Sequence, residues 1–244
     1  MNGTQPGLFD ADVSAGDVAD AAALVDRHVP ADIRARFEVF SYRNAATILA
    51  GSFPDQYAQV LDALRRFRIT KTMIRSPGGS KGPIAKYVDT LFGPDWQETR
   101  VAADLNVRLH SARDGRVLAR YDRMGFLDGH RIDFVHGRVA LDLEWNSKDQ
   151  TYDRDLAAFG AFYASGAVDV GIILTRGASL DARYLRSLGR VLNDDGTEGA
   201  TPVAAKFGAS TTWMGKLLYR LDAGRNGGCP VLALGITPAC VADS

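Results

Sequence analysis

Three carboxylates stand inside an otherwise apolar, strand-like stretch at residues 132–145, which reads IDFVHGRVALDLEW. The pattern predicts two short strands joined by a tight turn at His136-Gly137, with an acid near the start of the first strand. Asp142 and Glu144 are two residues apart. On a strand they therefore lie on one face, while the apolar residues between and beside them lie on the other. The fold has to give this strand a core on one side and a suitable environment for two negative charges on the other.

Paired acids on one strand face indicate a site for a cation. Adjacent carboxylates repel and raise each other's pKa unless a positive charge lies between them. With Asp133 delivered by the preceding strand, oxygen ligands for a divalent metal come together. Hydrolysis of a phosphodiester is the reaction that such a metal commonly assists. The alternative is a solvent-facing strand of an antiparallel sheet that carries its charges outward.

Composition describes an ordinary globular protein. The 244 residues are 46% hydrophobic and 24% charged, which fits one large domain or two small ones. No apolar run approaches the roughly 20 residues that span a bilayer, and the polar start lacks a basic-then-apolar leader pattern. We therefore expect a soluble, cytoplasmic protein with no membrane partner. Cys229 and Cys240 do not form a disulfide framework, and we expect two reduced thiols with Cys229 buried.

The balance of basic residues allows two interpretations. The net charge is zero, which argues mildly against non-specific binding of nucleic acid. Arginine nevertheless outnumbers lysine by 23 to 6. Arginine makes bidentate contacts with phosphate and guanine edges, but a GC-rich genome would produce the same bias.

Hydrophobic periodicity predicts an α/β (α+β) chain with a central mixed β-sheet flanked by helices. We expect one domain over 1–244, with a mainly helical N-terminal part at 1–70 and a core at 71–240. After a loose start at 1–14, the expected helices are 16–29, 44–49, 55–67, 84–92, 153–165, 181–188 and 211–221. The expected strands are 37–40, 101–109, 117–121, 132–135, 139–145, 168–175 and 230–236, with polar loops at 75–83 and 193–199.

The spacing of the acids resembles a nuclease signature. Asp133 is followed after eight residues by Asp142-Leu143-Glu144, which is similar to P-D-(x)n-(D/E)-x-K with glutamate in the lysine position. That replacement is found in the BamHI, BglII and BstYI group of type II restriction endonucleases. The flanking segments 78–84, 96–98, 145–150 and 168–173 continue the resemblance, which extends from about residue 70 to 236.

The resemblance implies a restriction-endonuclease-like fold and a role for each acid. Asp133 and Asp142 would bind the metal, Mg²⁺ with Mn²⁺ as a substitute, through one ion or two. Glu144 would stand where a lysine usually activates the attacking water, so that the positive charge has to come from elsewhere. Glu98 resembles the additional acid that many such nucleases carry on a helix; alternatively it is a surface residue.

Two polar segments are candidates for DNA contact. The first follows the acidic strand, where BamHI-like enzymes place groove-reading side chains, and asparagine, glutamine and aspartate suit base edges. The second begins near residue 206, and Ser210 or Thr211 could cap a helix whose N-terminus accepts a phosphate. Capping followed by a glycine-rich turn would explain the second segment without DNA. The candidate residues are Lys81, Asn146, Ser147, Lys148, Asp149, Gln150, Ser210, Thr211, Thr212, Lys216, Arg220, Arg225 and Asn226.

The function implied is therefore a sequence-specific double-stranded DNA endonuclease. A homodimer would match a short palindrome, 5′ overhangs are expected by resemblance, and a cognate methyltransferase is expected as a functional partner without a stable complex. The alternatives are a nuclease of the same fold acting on modified or branched DNA, and a catalytically silent DNA-binding module. A glycosidase is disfavoured because acids two apart on one strand do not flank a sugar bond. The chain has no P-loop, zinc spacing or G-x-S-x-G elbow.

Overall fold

A computed structural model describes residues 18–79 and 81–243, with side chains except at 128–130. The loose start expected at 1–14, residues 16–17 of the helix expected at 16–29, and Ser80 of the expected loop lie outside the described residues. Within the described residues that helix begins at Ala22, later than expected.

The described chain is built around a six-stranded mixed sheet of order β1-β9-β6-β5-β4-β3. Strand β6 lies between β5 and β9 and is parallel to both. The pairs β1–β9, β4–β5 and β3–β4 are antiparallel. The mixed sheet confirms the expected fold class. The strands are β1 Phe37–Tyr42, β2 Ile69–Thr70, β3 Gln97–His110, β4 Val117–His136, β5 Val139–Glu144, β6 Val170–Arg176, β7 Arg190–Leu192, β8 Glu198–Pro202, β9 Val231–Ile236 and β10 Val241–Ala242.

Helices cover both faces of the parallel strands. They are α1 Ala22–His28, α2 Ala31–Arg34, α3 Ala45–Ser52, α4 Pro54–Arg66, α5 Lys71–Arg75, α6 Pro83–Asp89, α7 Thr151–Ala164, α8 Ala182–Ser187, α9 Val203–Lys206 and α10 Met214–Asp222. Alternate residues of β5, β6 and β9 pack in two layers. One layer contains α3, α4 and α6, and the other contains α7 and α10. All residues of β6 and β9 are consequently buried, as expected for parallel strands covered on both sides.

The N-terminal part contributes a strand to the same sheet. Strand β1 pairs with β9 from Phe37↔Ile236 to Tyr42↔Val231. Glu38 of β1 accepts backbone hydrogen bonds of 2.8 Å from Ala178 and 2.9 Å from Ser179, just beyond the end of β6. Residues on both sides of position 70 therefore share one sheet, although the sequence indicates a mainly helical N-terminal part.

Three sequence-based boundaries are wrong. The strands expected at 117–121 and 132–135 are one strand, β4, because pairing with β3 satisfies the polar backbone between them. The loop expected at 193–199 is present but ends at 197, because residues 198–199 belong to β8 of the β7–β8 hairpin. Helix α10 begins at Met214 and has Trp213 at its N-cap, so neither Ser210 nor Thr211 caps it; Thr211 is instead held in an extended bridge with Lys148.

The β4–β5 hairpin forms as expected, with its turn one residue later. His136 pairs with Val139, so the two loop residues are Gly137 and Arg138. Gly137 has φ +60°, which glycine adopts without a steric penalty. Glycine at the first loop position is typical of a type II′ hairpin, whose twist matches that of the strands.

Both cysteines are free and buried, which confirms the expectation of reduced thiols. Burial raises the pKa of Cys229 to about 12 and that of Cys240 to about 11. No helix within the described part of the chain is long and apolar enough to cross a membrane.

Gly171→Ala tests the packing of β6 against α7. A Cβ at Gly171 would lie 2.5 Å from the Phe159 ring, and neither side chain nor strand can move freely in the buried layer. We expect a loss of about 1–3 kcal/mol in the free energy of unfolding, measured by urea denaturation. Gly51→Ala is the matched control, because nothing lies within 4 Å of a Cβ there. Equal stability of the two variants would contradict the packing described.

Candidate active site

A β-bulge sets the position of Asp133. Between the pairs Gln97↔Val135 and Thr99↔Ile132, β4 contains one residue more than β3. A bulge of this kind re-aims side chains, and Ile132 accordingly packs in the α7 layer while Phe134 packs in the opposite layer. Asp133 is therefore at an irregularity near the end of a 20-residue strand, not at the start of a short one as the sequence indicated.

The carboxylates of Asp133 and Asp142 each accept a hydrogen bond from a backbone N–H of the other strand. The Asp133 backbone N–H donates to Asp142 Oδ1 at 2.9 Å, and the Leu143 N–H donates to Asp133 Oδ2 at 3.0 Å. Regular pairing of β4 with β5 stops at Phe134↔Leu141, one residue before this point. The two carboxylates thus replace bonds of the sheet ladder, which fixes both side chains to the backbone.

Asp142 and Glu144 share one face of β5, as predicted, but that face is not open to solvent. Asp142 is 4% exposed and Glu144 is 7% exposed. The same face carries Ala140, which packs with helices α7 and α10. Two buried carboxylate oxygens, Asp142 Oδ2 and Glu144 Oε2, have no hydrogen-bond partner. Solvated outward charges therefore do not explain this strand.

Helix α7 brings a fourth acid that sequence reasoning missed. Asp155 is 2% exposed, interacts with Glu144 through a side-chain hydrogen bond, and is 3.3 Å from the exposed Arg154. The sequence contains a signal for it. Tyr152, Asp155, Leu156 and Phe159 recur at helical spacing and are all buried, so the aspartate occupies a core position of an amphipathic helix.

Burial raises the pKa of all four acids. Desolvation is the largest cause in each case. The pKa of Glu144 rises to about 9, with the negative charge of Asp155 as the next cause, and the pKa of Asp155 rises to about 6. Desolvation and the neighbouring Asp155 and Asp133 charges raise the pKa of Asp142 well above its usual value. Without a cation, these groups favour the protonated form.

A cleft of about 550 Å³ opens beside the strand pair. Asp133 and Glu144 line it, whereas Asp142 does not. Basic residues also face the cleft. Lys81 lies 2.6 Å from Asp89, and Arg131 lies 3.2 Å from Glu98.

Glu98 is on strand β3, so its expected place on a helix is wrong. The side chain of Glu98 is 55% exposed and pairs with Arg131 at the cleft. Its charge contributes to the raised pKa of Asp133.

The structure joins the two segments predicted to contact DNA. The Thr212 N–H donates to Ser147 O at 2.9 Å, and the Asp149 N–H donates to Ser210 O at 2.9 Å. Lys216 adds a 2.9 Å ion pair to Asp149. Segments separated by about sixty residues thus form one surface at the end of β5.

Asn146 stands at the junction of β5 with this surface. It has φ +61°, a left-handed conformation that asparagine tolerates better than most residues. It lines the cleft together with Ser147. Lys148 and Gln150 are exposed beyond them.

Several residues predicted to bind DNA are buried or bonded to other residues of the protein. Thr211, Thr212, Arg220 and Asn226 are buried. Arg220 bonds both carboxylate oxygens of Asp153 at 3.0 and 2.9 Å, and Arg225 bonds Asp153 at 2.6 Å. The Asn226 amide donates to Cys229 O at 2.6 Å. Contact with DNA would require these side chains to leave such partners.

Two basic residues that are not among the candidate site residues make contacts within the protein. Arg176 is buried at the end of β6, where it donates to Leu180 O at 3.0 Å and to Thr211 Oγ1 at 3.3 Å. Lys206 lines the cleft and donates to Ile74 O at 3.1 Å. Isolated basic residues in a sequence do not indicate such long-range contacts.

The donor chemistry of this centre fits a hard divalent cation. Among residues 18–79 and 81–243, no three His, Cys, Asp or Glu side chains are already grouped as a metal site. The unpartnered Asp142 Oδ2 and Glu144 Oε2 are nevertheless carboxylate oxygens, which Mg²⁺ and Mn²⁺ accept as ligands. Buried charges are paired or coordinate metals, so the acids present favour such an ion.

A mixed sheet with helices on both faces and acids at a bulged strand pair defines a restriction-endonuclease-like protein. The chain belongs to the family described as restriction endonuclease BglII/BglIII, whose family model matches residues 37–236. Comparison with individual curated proteins gives no match. Membership makes the chain a type II restriction endonuclease, a class of site-specific nucleases that act on double-stranded DNA.

Glu144→Gln tests the electrostatics of the buried acids. The pKa of Glu144 rises from 4.5 to about 9, so folding takes up a proton between these values. The free energy of unfolding of the metal-free protein therefore falls as pH rises through this window. We expect the wild-type Tm in EDTA to decrease from pH 5 to 9, and Glu144→Gln to reduce that decrease. The exposed Asp55→Asn, in the first turn of α4, should leave the decrease unchanged. An unaltered profile in Glu144→Gln would contradict the burial of a titrating carboxylate.

Proposed function

We propose that this protein cleaves double-stranded DNA at a short palindrome in a reaction that depends on Mg²⁺, with Mn²⁺ as a substitute. The observation that carries the proposal is the bonded pair of Asp133 and Asp142, with Glu144 beside them, next to an open cleft in a member of this family. A homodimer would present two such sites to the two strands of a palindrome. We expect it to act in the cytoplasm, where a cognate methyltransferase protects the host sites.

Asp133, Asp142 and Glu144 are the residues that would hold the metal. When bound, a divalent ion supplies an acidic water and positive charge against the phosphate. The backbone bonds to Asp133 and Asp142 hold both carboxylates in place before DNA arrives. Ser147 donates to Glu144 and limits the rise of its pKa. Glu98 stands farther out and, through its charge, acts on Asp133.

The positive charge that a lysine usually provides has candidates on the chain. Lys81 is close enough to counteract the raised pKa of Asp133, and its present partner, Asp89, is an exposed carboxylate that a phosphate could replace. Lys148 is exposed on the surface that follows β5. Either ammonium could neutralise a phosphate that enters the cleft.

The surface that we assign to DNA lies around the cleft. Its members are polar side chains with exposed or half-buried atoms that do not hold the core together. Asn146, Ser147 and Gln150 suit base edges, and Lys81 and Lys148 suit phosphates. Asp149, Ser210 and Lys216 border them, whereas Thr211, Thr212, Arg220, Arg225 and Asn226 support this surface from behind through the contacts described above.

Loss of the acids tests the proposed reaction. We expect plasmid DNA to yield discrete fragments with Mg²⁺ and none with EDTA, and the fragment ends to carry 5′ overhangs. Asp133→Ala and Glu144→Ala should each lower the cleavage rate by about 1,000-fold or more, because several kcal/mol of charge stabilisation are lost. DNA binding should persist in both variants, as measured by gel shift in Ca²⁺.

Asp169→Asn is the matched control for cleavage. Asp169 pairs with Arg138 at 2.6 Å beyond the turn of the β4–β5 hairpin and does not line the cleft. Its loss should leave cleavage at the wild-type rate. If either alanine variant cleaves DNA at the wild-type rate, that acid is not part of the site. If the wild-type protein binds DNA without cleaving it, the protein is a catalytically silent binding module.

The salt dependence of DNA binding tests the cationic surface. Each phosphate contact that is lost should reduce the slope of log K against log salt by about 1. We expect Lys81→Ala and Lys148→Ala each to weaken binding in this way, as measured by fluorescence anisotropy over a salt series. Arg27→Ala removes the same charge from an exposed position on α1, near the opposite edge of the sheet. An equal effect of Arg27→Ala would mean that net charge, rather than this surface, controls binding.

A further inference from the structure

Asp155 occupies a core position that a hydrophobic residue would normally fill. Its neighbours on the same face of α7 are Tyr152, Leu156 and Phe159, all fully buried in the apolar layer below β5 and β6. A buried carboxylate is costly unless it is paired or binds a metal. Its neighbours include Arg154, at 3.3 Å, and the acidic Glu144.

Charge around Asp155 is unbalanced. The charges of Asp155 and Asp133 both act on Asp142, and the charge of Asp155 acts on Glu144. Arg154 is the cation that opposes them, and it already contacts Asp155 with a guanidinium that is 66% exposed. Lys81 opposes the charge of Asp133, but the three acids deeper in the site face one solvated arginine, and this excess of acids favours an additional cation.

Unpartnered oxygens point to a ligand independently of the acid cluster. Asp142 Oδ2 and Glu144 Oε2 are buried and accept no hydrogen bond, although both residues are more than nine-tenths buried. Unsatisfied buried acceptors cost about 1–3 kcal/mol each and are rare in folded proteins. A metal coordinated by these oxygens would satisfy them.

We propose that Asp155 of helix α7 is a further metal-binding residue, which joins Asp142 and Glu144 in holding a divalent cation on the α7 side of β5. The proposal rests on the metal dependence proposed above and extends it, because the sequence motif contains only the acids of β4 and β5. It gives the site a carboxylate from a helix in addition to those from the strands. The cation on this side supplies the charge that the glutamate at position 144 does not.

Mn²⁺ binding in the absence of DNA tests the proposal without relying on activity. We expect isothermal titration calorimetry of the full chain to show that Asp155→Asn weakens Mn²⁺ binding by about 10-fold or more, in the range typical for supporting residues of metal sites. The rise in Tm that Mn²⁺ produces should shrink in parallel, because ligand stabilisation follows affinity. The metal-free Tm of Asp155→Asn should be unchanged or higher, since a buried carboxyl group among acidic neighbours has been replaced by a neutral amide.

Asp153→Asn is the matched control on the same helix. Asp153 is two residues away and pairs with Arg220 and Arg225. It should retain wild-type Mn²⁺ affinity even if its Tm falls. Asp155→Ser provides a second neutral variant should Asp155→Asn fail to fold.

The outcomes separate this proposal from the proposed function. Unchanged Mn²⁺ affinity in Asp155→Asn or Asp155→Ser, in a protein whose wild type binds Mn²⁺ and cleaves DNA, overturns the role of Asp155 alone. A lowered metal-free Tm with unchanged affinity assigns Asp155 a structural role and has the same consequence. A wild-type protein that neither binds Mn²⁺ nor cleaves DNA overturns the metal-dependent function itself.

Discussion

The site depends on the exchange of hydrogen bonds between Asp133 and Asp142. The ladder between β4 and β5 ends where β4 bulges against β3, and the carboxylate on each strand accepts a hydrogen bond from a backbone N–H of the other. This exchange keeps the backbone satisfied at the point where the regular pairing ends. It also holds two carboxyl groups near each other in a fixed geometry before any cation is present.

The burial of these acids follows from the topology of the sheet. A parallel arrangement of β5, β6 and β9 requires helices on both faces, so the acid-bearing face of β5 is covered by α7 and α10. In such an interior the effective dielectric constant is lower than in water, and the acids interact more strongly with one another and with a cation. The buried acids therefore lower the free energy of unfolding of the metal-free protein. A bound cation would offset this loss.

Much of the fold was predictable from residue periodicity. The continuous apolar runs at β6 and β9 and the alternating acids of β5 identify strands directly, and the common face of Asp142 and Glu144 follows from strand geometry. The full length of β4 was not predictable, because its middle has no apolar pattern and is held by pairing with β3. The joining of Ser147 with Thr212 depends on tertiary contacts that local sequence does not encode.

The same hydrogen bonds set how the acids can coordinate an ion. Asp133 Oδ2 and Asp142 Oδ1 are already committed to backbone N–H groups. Each of these aspartates would then offer a bound cation one oxygen that is free of these bonds, which favours monodentate coordination. Mg²⁺ prefers single oxygens in a compact octahedral shell, whereas larger Ca²⁺ commonly takes both oxygens of a carboxylate. The backbone pairing of β4 and β5 would thus favour Mg²⁺ over Ca²⁺ at the proposed metal site.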